Sequence, residues 1–358
     1  MGVARHTRAL RGLVVAAALV LTGSAPGVGV GAAASARPAP EPVYSPGRDA
    51  AADPGLVESD GKYYAFSTGG LGSVASADNV QGPWTSLPDA LARRGAWANG
   101  TGAVWAPDAV KTSAGWVLYY SARAKGFAGQ RCIGTAVSEN VAGPYEPAAT
   151  PLICPILGGE DPVVDRPDQT AGVIDPSPFQ ASDGRRYLLY KTQKTPGTLR
   201  MVGVTDDGLH VSGPPSRELL RHSDSIENPV MVQRGDQYVL FAAANWYDQC
   251  RYSTVWLRSD DMWSWTDKEE HVLLDQASTG VCGPGGADLV VGEDTPSRMV
   301  LHGWVCGPTD EPCQFEGVVT DPGKRRVMYA AALTWGDDGA TPRVGAFLPA
   351  AGPPAAAR

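Results

Sequence analysis

Five times along its length this chain returns to one short plan, and that repetition limits its possible folds more than any other feature. The clearest copy is VIDPSPFQASDGRRYLLYK, Val173 to Lys191: an acid before Pro, an apolar β-prone run, a Ser-Asp-Gly turn, and a second strand rich in Tyr and Leu. Weaker copies start at Asp53 (DPGLVESDGKYYAFST), Trp105 (WAPDAVKTSAGWVLYYSA), Ile226 (IENPVMVQRGDQYVLFAAA) and Gly283 (GPGGADLVVGEDTPSRMVLHGW). The anchors Asp53, Asp108, Asp175 and Glu227 lie 55, 67 and 52 residues apart, and Gly285, 58 beyond Glu227, takes the matching place in the fifth copy. A period of that size implies a solenoid, propeller or array. Strand–turn–strand chemistry with almost no helical pattern selects propeller blades of about four strands each. The expected fold is all-β, a five-bladed β-propeller. In such a ring the first strand of each blade faces the central channel, so Asp53, Asp175 and Glu227 are expected to meet at the hub.

The flanks carry different signals. Residues 1–36 combine a basic start (Arg5, Arg8, Arg11), an apolar run (Leu13–Leu21) and Ala34-Ser35-Ala36, the pattern of a cleaved secretory leader. The apolar run is too short for a membrane anchor, which needs about 20 consecutive apolar residues. An exported product without a membrane span is expected, with the propeller over 37–348 and a disordered tail over 349–358. Losing the leader removes three arginines and no acid, taking the formal charge from -8 to -11. So acidic a chain, without Lys/Arg clusters, is a poor partner for nucleic acid or anionic membranes. The six cysteines of an exported chain are read as disulfides rather than metal ligands. Nearest-neighbour pairing (Cys132–Cys154, Cys250–Cys282, Cys306–Cys313) is the simplest of the possible arrangements. The near-copies SADNVQGPW (Ser76–Trp84) and VSENVAGPY (Val137–Tyr145), echoed by SDDMWSW (Ser259–Trp265), read as outer hairpins with an aromatic packed between blades.

Several chemistries lack their signatures. No H-E-x-x-H helix, G-x-S-x-G elbow or P-loop occurs. What remains is carboxylates at matching places on different blades. One Asp-Pro step alone is ordinary turn chemistry; three acids facing one channel suit glycoside hydrolysis. There one carboxyl protonates the leaving oxygen and another activates water or attacks carbon. A third acid raises the donor's pKa by like-charge repulsion. Asp108 is given a supporting, hydrogen-bonding part.

The series DPG, WAPD, IDPSPF and IENP, closing on VLHGW, resembles glycoside hydrolase family 43 over about Asp53 to Trp335. The resemblance implies a five-bladed propeller and an inverting mechanism on arabinose- or xylose-containing polysaccharides. It makes Asp53 the general base, Asp175 the acid that tunes pKa and orients the donor, and Glu227 the general acid. It sets Trp105 at a sugar subsite, with blade packing the competing role, and places Ser177 where substrate is often contacted. Asn228 departs from the small residue common after the acid. The fifth copy reads GPGG where many relatives have a GPGH-type motif, sometimes bound to calcium; His302 is left as the residue able to reach a carboxylate or sugar. No cofactor is expected to be required, no metal ligand is assigned, and a structural calcium has little support. The IENPVMVQRGDQYVLFAAANWYD stretch is closer to the arabinofuranosidase and arabinanase branches than to the β-xylosidases. The expected protein is a secreted, monomeric hydrolase of α-L-arabinofuranosides in arabinan or arabinoxylan, exo or endo according to loops such as Ala90–Val104. The competing readings are a β-xylosidase or other pentosan hydrolase, a non-catalytic glycan-binding propeller, and a retaining fructan-cleaving propeller. The last would open with an Asn-Asp-Pro-Asn-type motif, where this chain has AADPG.

Overall fold

The structure, a computed structural model, describes residues 38–46, 51–127, 129–154, 172–193, 195–292, 296–315 and 317–352; the expected leader and residues 353–358 of the expected tail lie outside them. Five antiparallel sheets form a five-bladed β-propeller. Blade 1 is β1 (Ala52–Ser59), β2 (Lys62–Thr68), β3 (Ser73–Ala77) and β4 (Thr85–Leu87). Blade 2 is β5 (Trp105–Thr112), β6 (Gly115–Arg123), β7 (Arg131–Ser138) and β8 (Glu146–Pro147). Blade 3 is β9 (Val173–Gln180), β10 (Arg186–Thr192), β11 (Gly197–Val204) and β12 (Val211–His222). Blade 4 is β13 (Ile226–Arg234), β14 (Gln237–Ala244), β15 (Ser253–Ser259) and β16 (His271–Leu274). Blade 5 is β17 (Cys282–Val290), β18 (Ser297–Cys306), β20 (Arg325–Trp335) and β21 (Pro342–Phe347), with β19 (Glu311–Pro312) added to β18.

The second strand of each blade explains why the ring closes. Side chains alternate across a strand, and here both faces are buried, so the apolar run is continuous. Val117 and Tyr119 of β6 pack toward Leu188 and Tyr190 of blade 3, whereas Leu118 and Tyr120 pack toward Phe66 of blade 1. Leu189 joins Leu240 and Ala242 of blade 4, and Val239 and Phe241 join Met299 and Leu301 of blade 5. Val300 returns to Leu56 and Ala65 of blade 1. The core is therefore five seams between blades, and one run of four apolar residues feeds two of them. Tyr145 and Trp265 are fully buried as hairpin aromatics, and Tyr145 meets Phe66 across the blade 1–2 seam.

The seam between blades 1 and 5 is laced from both sides. The Val43 N–H donates to Met328 O at 2.8 Å and the Met328 N–H to Tyr44 O at 2.9 Å. Opposite, the Leu348 N–H donates to Ala330 O, the Ala351 N–H to Gln81 O, and Gln81 Nε2 to Pro349 O. The start of the expected tail is thus bonded to blade 1. Disulfides join Cys132–Cys154, Cys250–Cys282 and Cys306–Cys313.

Candidate active site

The site begins with a backbone irregularity shared by the innermost strands. Each of β1, β5, β9, β13 and β17 slips its pairing register near its start. At the slip a residue with positive φ precedes proline: Asp53 (50°), Ala106 (41°), Asp175 (56°), Asn228 (48°) and Gly283 (65°). Asp and Asn enter this region more readily than other non-glycine residues, so part of the Asp-Pro signal is backbone chemistry. The anchors are consequently not all equivalent. Asp53 and Asp175 share a position, Glu227 comes one residue earlier, and Asp108 two residues later. The X-Pro step, rather than the acid, is therefore what the five slips have in common.

Asp53, Asp175 and Glu227 nevertheless come together. They line a cavity of about 230 Å³ with Thr68, Trp105, Ile174, Lys191, Gln193, Ser225, Asn228, Trp246, Tyr247 and Arg326. Asp53 is held from both sides: Thr68 Oγ1 donates to Oδ2 at 2.7 Å, and Arg326 Nη1 approaches Oδ1 at 3.3 Å. Both Glu227 oxygens also accept, Oε2 from Lys191 Nζ at 2.8 Å and Oε1 from the Tyr252 hydroxyl at 2.9 Å. That hydroxyl lies 3.0 Å from Asn228 Oδ1 as well, and its single proton serves one acceptor at a time. Asp175 accepts the Asn228 N–H at 3.2 Å. Burial, then the Glu227 charge, push its pKa up to about 8, against a smaller downward pull from Lys191. Asp175 therefore holds its proton more tightly than an ordinary carboxyl does. Burial alone would lower the Lys191 pKa, but Glu227 and Asp175 outweigh it and hold the amine cationic.

The remaining expected site residues are placed as follows. Trp105 is on the cavity wall, with the Arg131 guanidinium 3.4 Å from its ring centre, covering one face. Ser177 and Asp108 line a narrow axial space of about 30 Å³ instead, with Asp288. Burial and the neighbouring Asp288 charge hold the Asp108 carboxyl well above its usual range. His302 is wholly buried and absent from the cavity wall. Its Nδ1 accepts the Asp53 N–H at 3.1 Å, so it braces the backbone of Asp53. Burial and the Arg326 charge keep the ring neutral. Gly286 makes room for it, since a Cβ there would sit 2.6 Å from the imidazole. Among the described residues no cluster of three or more His, Cys, Asp or Glu side chains is grouped to hold a metal ion.

Sequence reasoning missed Lys191, Arg326, Tyr252, Trp246 and Tyr247. The first two lie near the end or the start of ordinary strands and carry no local signal. The last three lie in ANWYDQCRY, after the apolar run of β14; that cluster of aromatics ahead of Cys250 was the readable clue. The Ala90–Val104 segment contributes no side chain to the cavity, whose mouth is shaped by Trp246 and Tyr247.

Three carboxyl groups facing one aromatic-walled cavity at the hub of a five-bladed ring are the equipment of a propeller glycosidase. The family model for glycosyl hydrolases family 43 matches residues 41–340, and the chain belongs to that family. Arabinan endo-1,5-alpha-L-arabinosidase A of Aspergillus niger is 28% identical over 291 residues, covering 77% of this chain and 80% of that protein. Among solved structures, a thermostable family-43 glycoside hydrolase superposes with a TM-score of 0.65 at 19% identity, over 87% of this chain and 98% of the other. The Cellvibrio cellulosa alpha-L-arabinanase complexed with arabinohexaose gives 0.63 at 21% identity, over 83% and 95%.

Proposed function

We propose that this protein is an exported, inverting hydrolase of α-L-arabinofuranosidic linkages in arabinan-type polysaccharides, working as a monomer without a cofactor. The observation that carries the reading is the meeting of Asp53, Asp175 and Glu227 on one cavity wall beside Trp105, Trp246 and Tyr247. The similarity to arabinan-acting relatives supports the substrate class, and three disulfides agree with an oxidising destination.

Asp53, held between Thr68 and Arg326, takes a proton from water while the water oxygen attacks the anomeric carbon. The bond to the leaving oxygen breaks, and the one proton that Glu227 shares with Asp175 passes through Glu227 to that oxygen. Asp175 completes the pair: two carboxyls so close do not both ionise freely, and one proton belongs to them jointly. Trp246 and Tyr247, both exposed at the mouth, offer ring faces against which furanose rings pack.

The test is the anomer released first. Proton NMR of linear arabinan hydrolysis should show the β-anomer of the new reducing end before mutarotation. An initial α-anomer would overturn inversion. Turnover of aryl β-xylosides without turnover of arabinan would move the substrate to xylan.

A further inference from the structure

Lys191 is a buried charged group on the cavity wall that the hydrolytic steps leave unused. It is the penultimate residue of β10, with its side chain 5% exposed. Its Nζ is 2.8 Å from Glu227 Oε2 and 3.4 Å from Ser225 Oγ. Among the described residues it is the only cation within ion-pair distance of Glu227. Burying an ammonium is costly unless a partner repays it, and an apolar side chain would fill a strand end at less cost. The other charged or titratable groups around the pair have separate engagements. Arg326 of β20 pairs with Asp53 of β1, Arg131 of β7 covers Trp105, Tyr252 bonds Glu227, and buried His302 of β18 bonds the Asp53 amide.

We propose that Lys191 is a positioning residue that sets the alkaline limit of the reaction, by fixing how tightly Asp175 and Glu227 hold their shared proton. This rests on the hydrolase reading above. A fixed positive charge at hydrogen-bond distance favours the ionised form of a carboxyl. It therefore keeps the proton on Asp175 rather than Glu227, and lets the pair lose that proton at a lower pH than two unassisted carboxyls would. The raised Asp175 pKa agrees with a proton retained on that side. An enzyme without the ammonium keeps its last proton to higher pH.

The experiment is the pH profile of kcat/KM on an aryl α-L-arabinofuranoside for the wild type, Lys191→Met and Lys191→Arg. In Lys191→Met the basic limb moves up by about one pH unit or more, and in Lys191→Arg it stays near the wild-type position. A Lys191→Met enzyme that loses activity with its basic limb unmoved overturns the proposal, because a merely structural lysine would behave that way. Lys191→Gln replaces Lys191→Met if the latter does not fold. Carbon-13 NMR titration of labelled Asp and Glu carboxyls gives the same comparison without turnover. If the wild type hydrolyses no arabinoside the functional reading fails, and a carboxyl titration unchanged by Lys191→Met still sinks the inference by itself.

Discussion

At the scale of single residues, the site divides its labour by environment. Asp53 and Asp175 occupy the same backbone position in different blades, yet one is clamped by Thr68 and Arg326 while the other is buried and holds its proton tightly. Replacing Glu227 with Gln should lower turnover of arabinan by about 10²–10⁴, the usual worth of a positioned proton donor. Aryl arabinofuranosides with acidic phenol leaving groups should keep most of their rate, since they depart without a proton. Assays of both substrates on a variant with wild-type circular dichroism check this; equal losses on both would remove Glu227 from the donor role. Asp53 and Glu227 were legible because each stands at the opening of a copy of the repeat, Asp53 directly before proline and Glu227 one residue further from it. Arg326 and Lys191 were not, because a cation inside a strand reads as a solvated face until the ring shows what it points at.

At the scale of elements, the five-fold repeat and the split of each apolar run between two seams followed from alternation alone, whereas the register of the anchors did not. The slip before proline displaces Glu227 and Asp108 in opposite senses from Asp53, and strand periodicity contains no sign of it. The same slip brings backbones close: a Cβ on Gly55 would lie 2.7 Å from Pro107 O and about 3 Å from the Asp108 carboxylate. Gly55→Ala should therefore cost about 1–3 kcal/mol, as overpacking does, read as a lower denaturation midpoint with unchanged slope. The Cys250–Cys282 bond ties the segment bearing Trp246, Tyr247 and Tyr252 to the start of β17. Serine at both cysteines should cost about 2–4 kcal/mol and raise KM for arabinan. The same exchange at Cys306 and Cys313, which close a shorter loop of 7 residues, should leave KM alone. Steady-state kinetics on the two double variants separates the cases.

At the scale of the whole molecule, the buried acids make stability depend on pH. Asp175 is raised to about 8 and Asp108 well above its usual range, so between pH 6.5 and 8 the folded state binds more protons than the unfolded one. Stability therefore falls as pH rises through that window. His302, held neutral when folded, acts oppositely but only below about pH 6.5, where the unfolded ring gains its proton. Thermal midpoints should drop from pH 6.5 to 8, and Asp175→Asn should flatten the slope; an equal slope in the variant would contradict the assignment. The ring carries a consequence for biogenesis too. Asp53 belongs to the blade made first, yet the side chains that brace it, Arg326 and His302, come from the blade made last. A nascent chain already contains all three acids once Glu227 has been translated, but Asp53 lacks its Arg326 and His302 partners until the two rims of the horseshoe meet. Catalytic competence thus reports the final join of the circle.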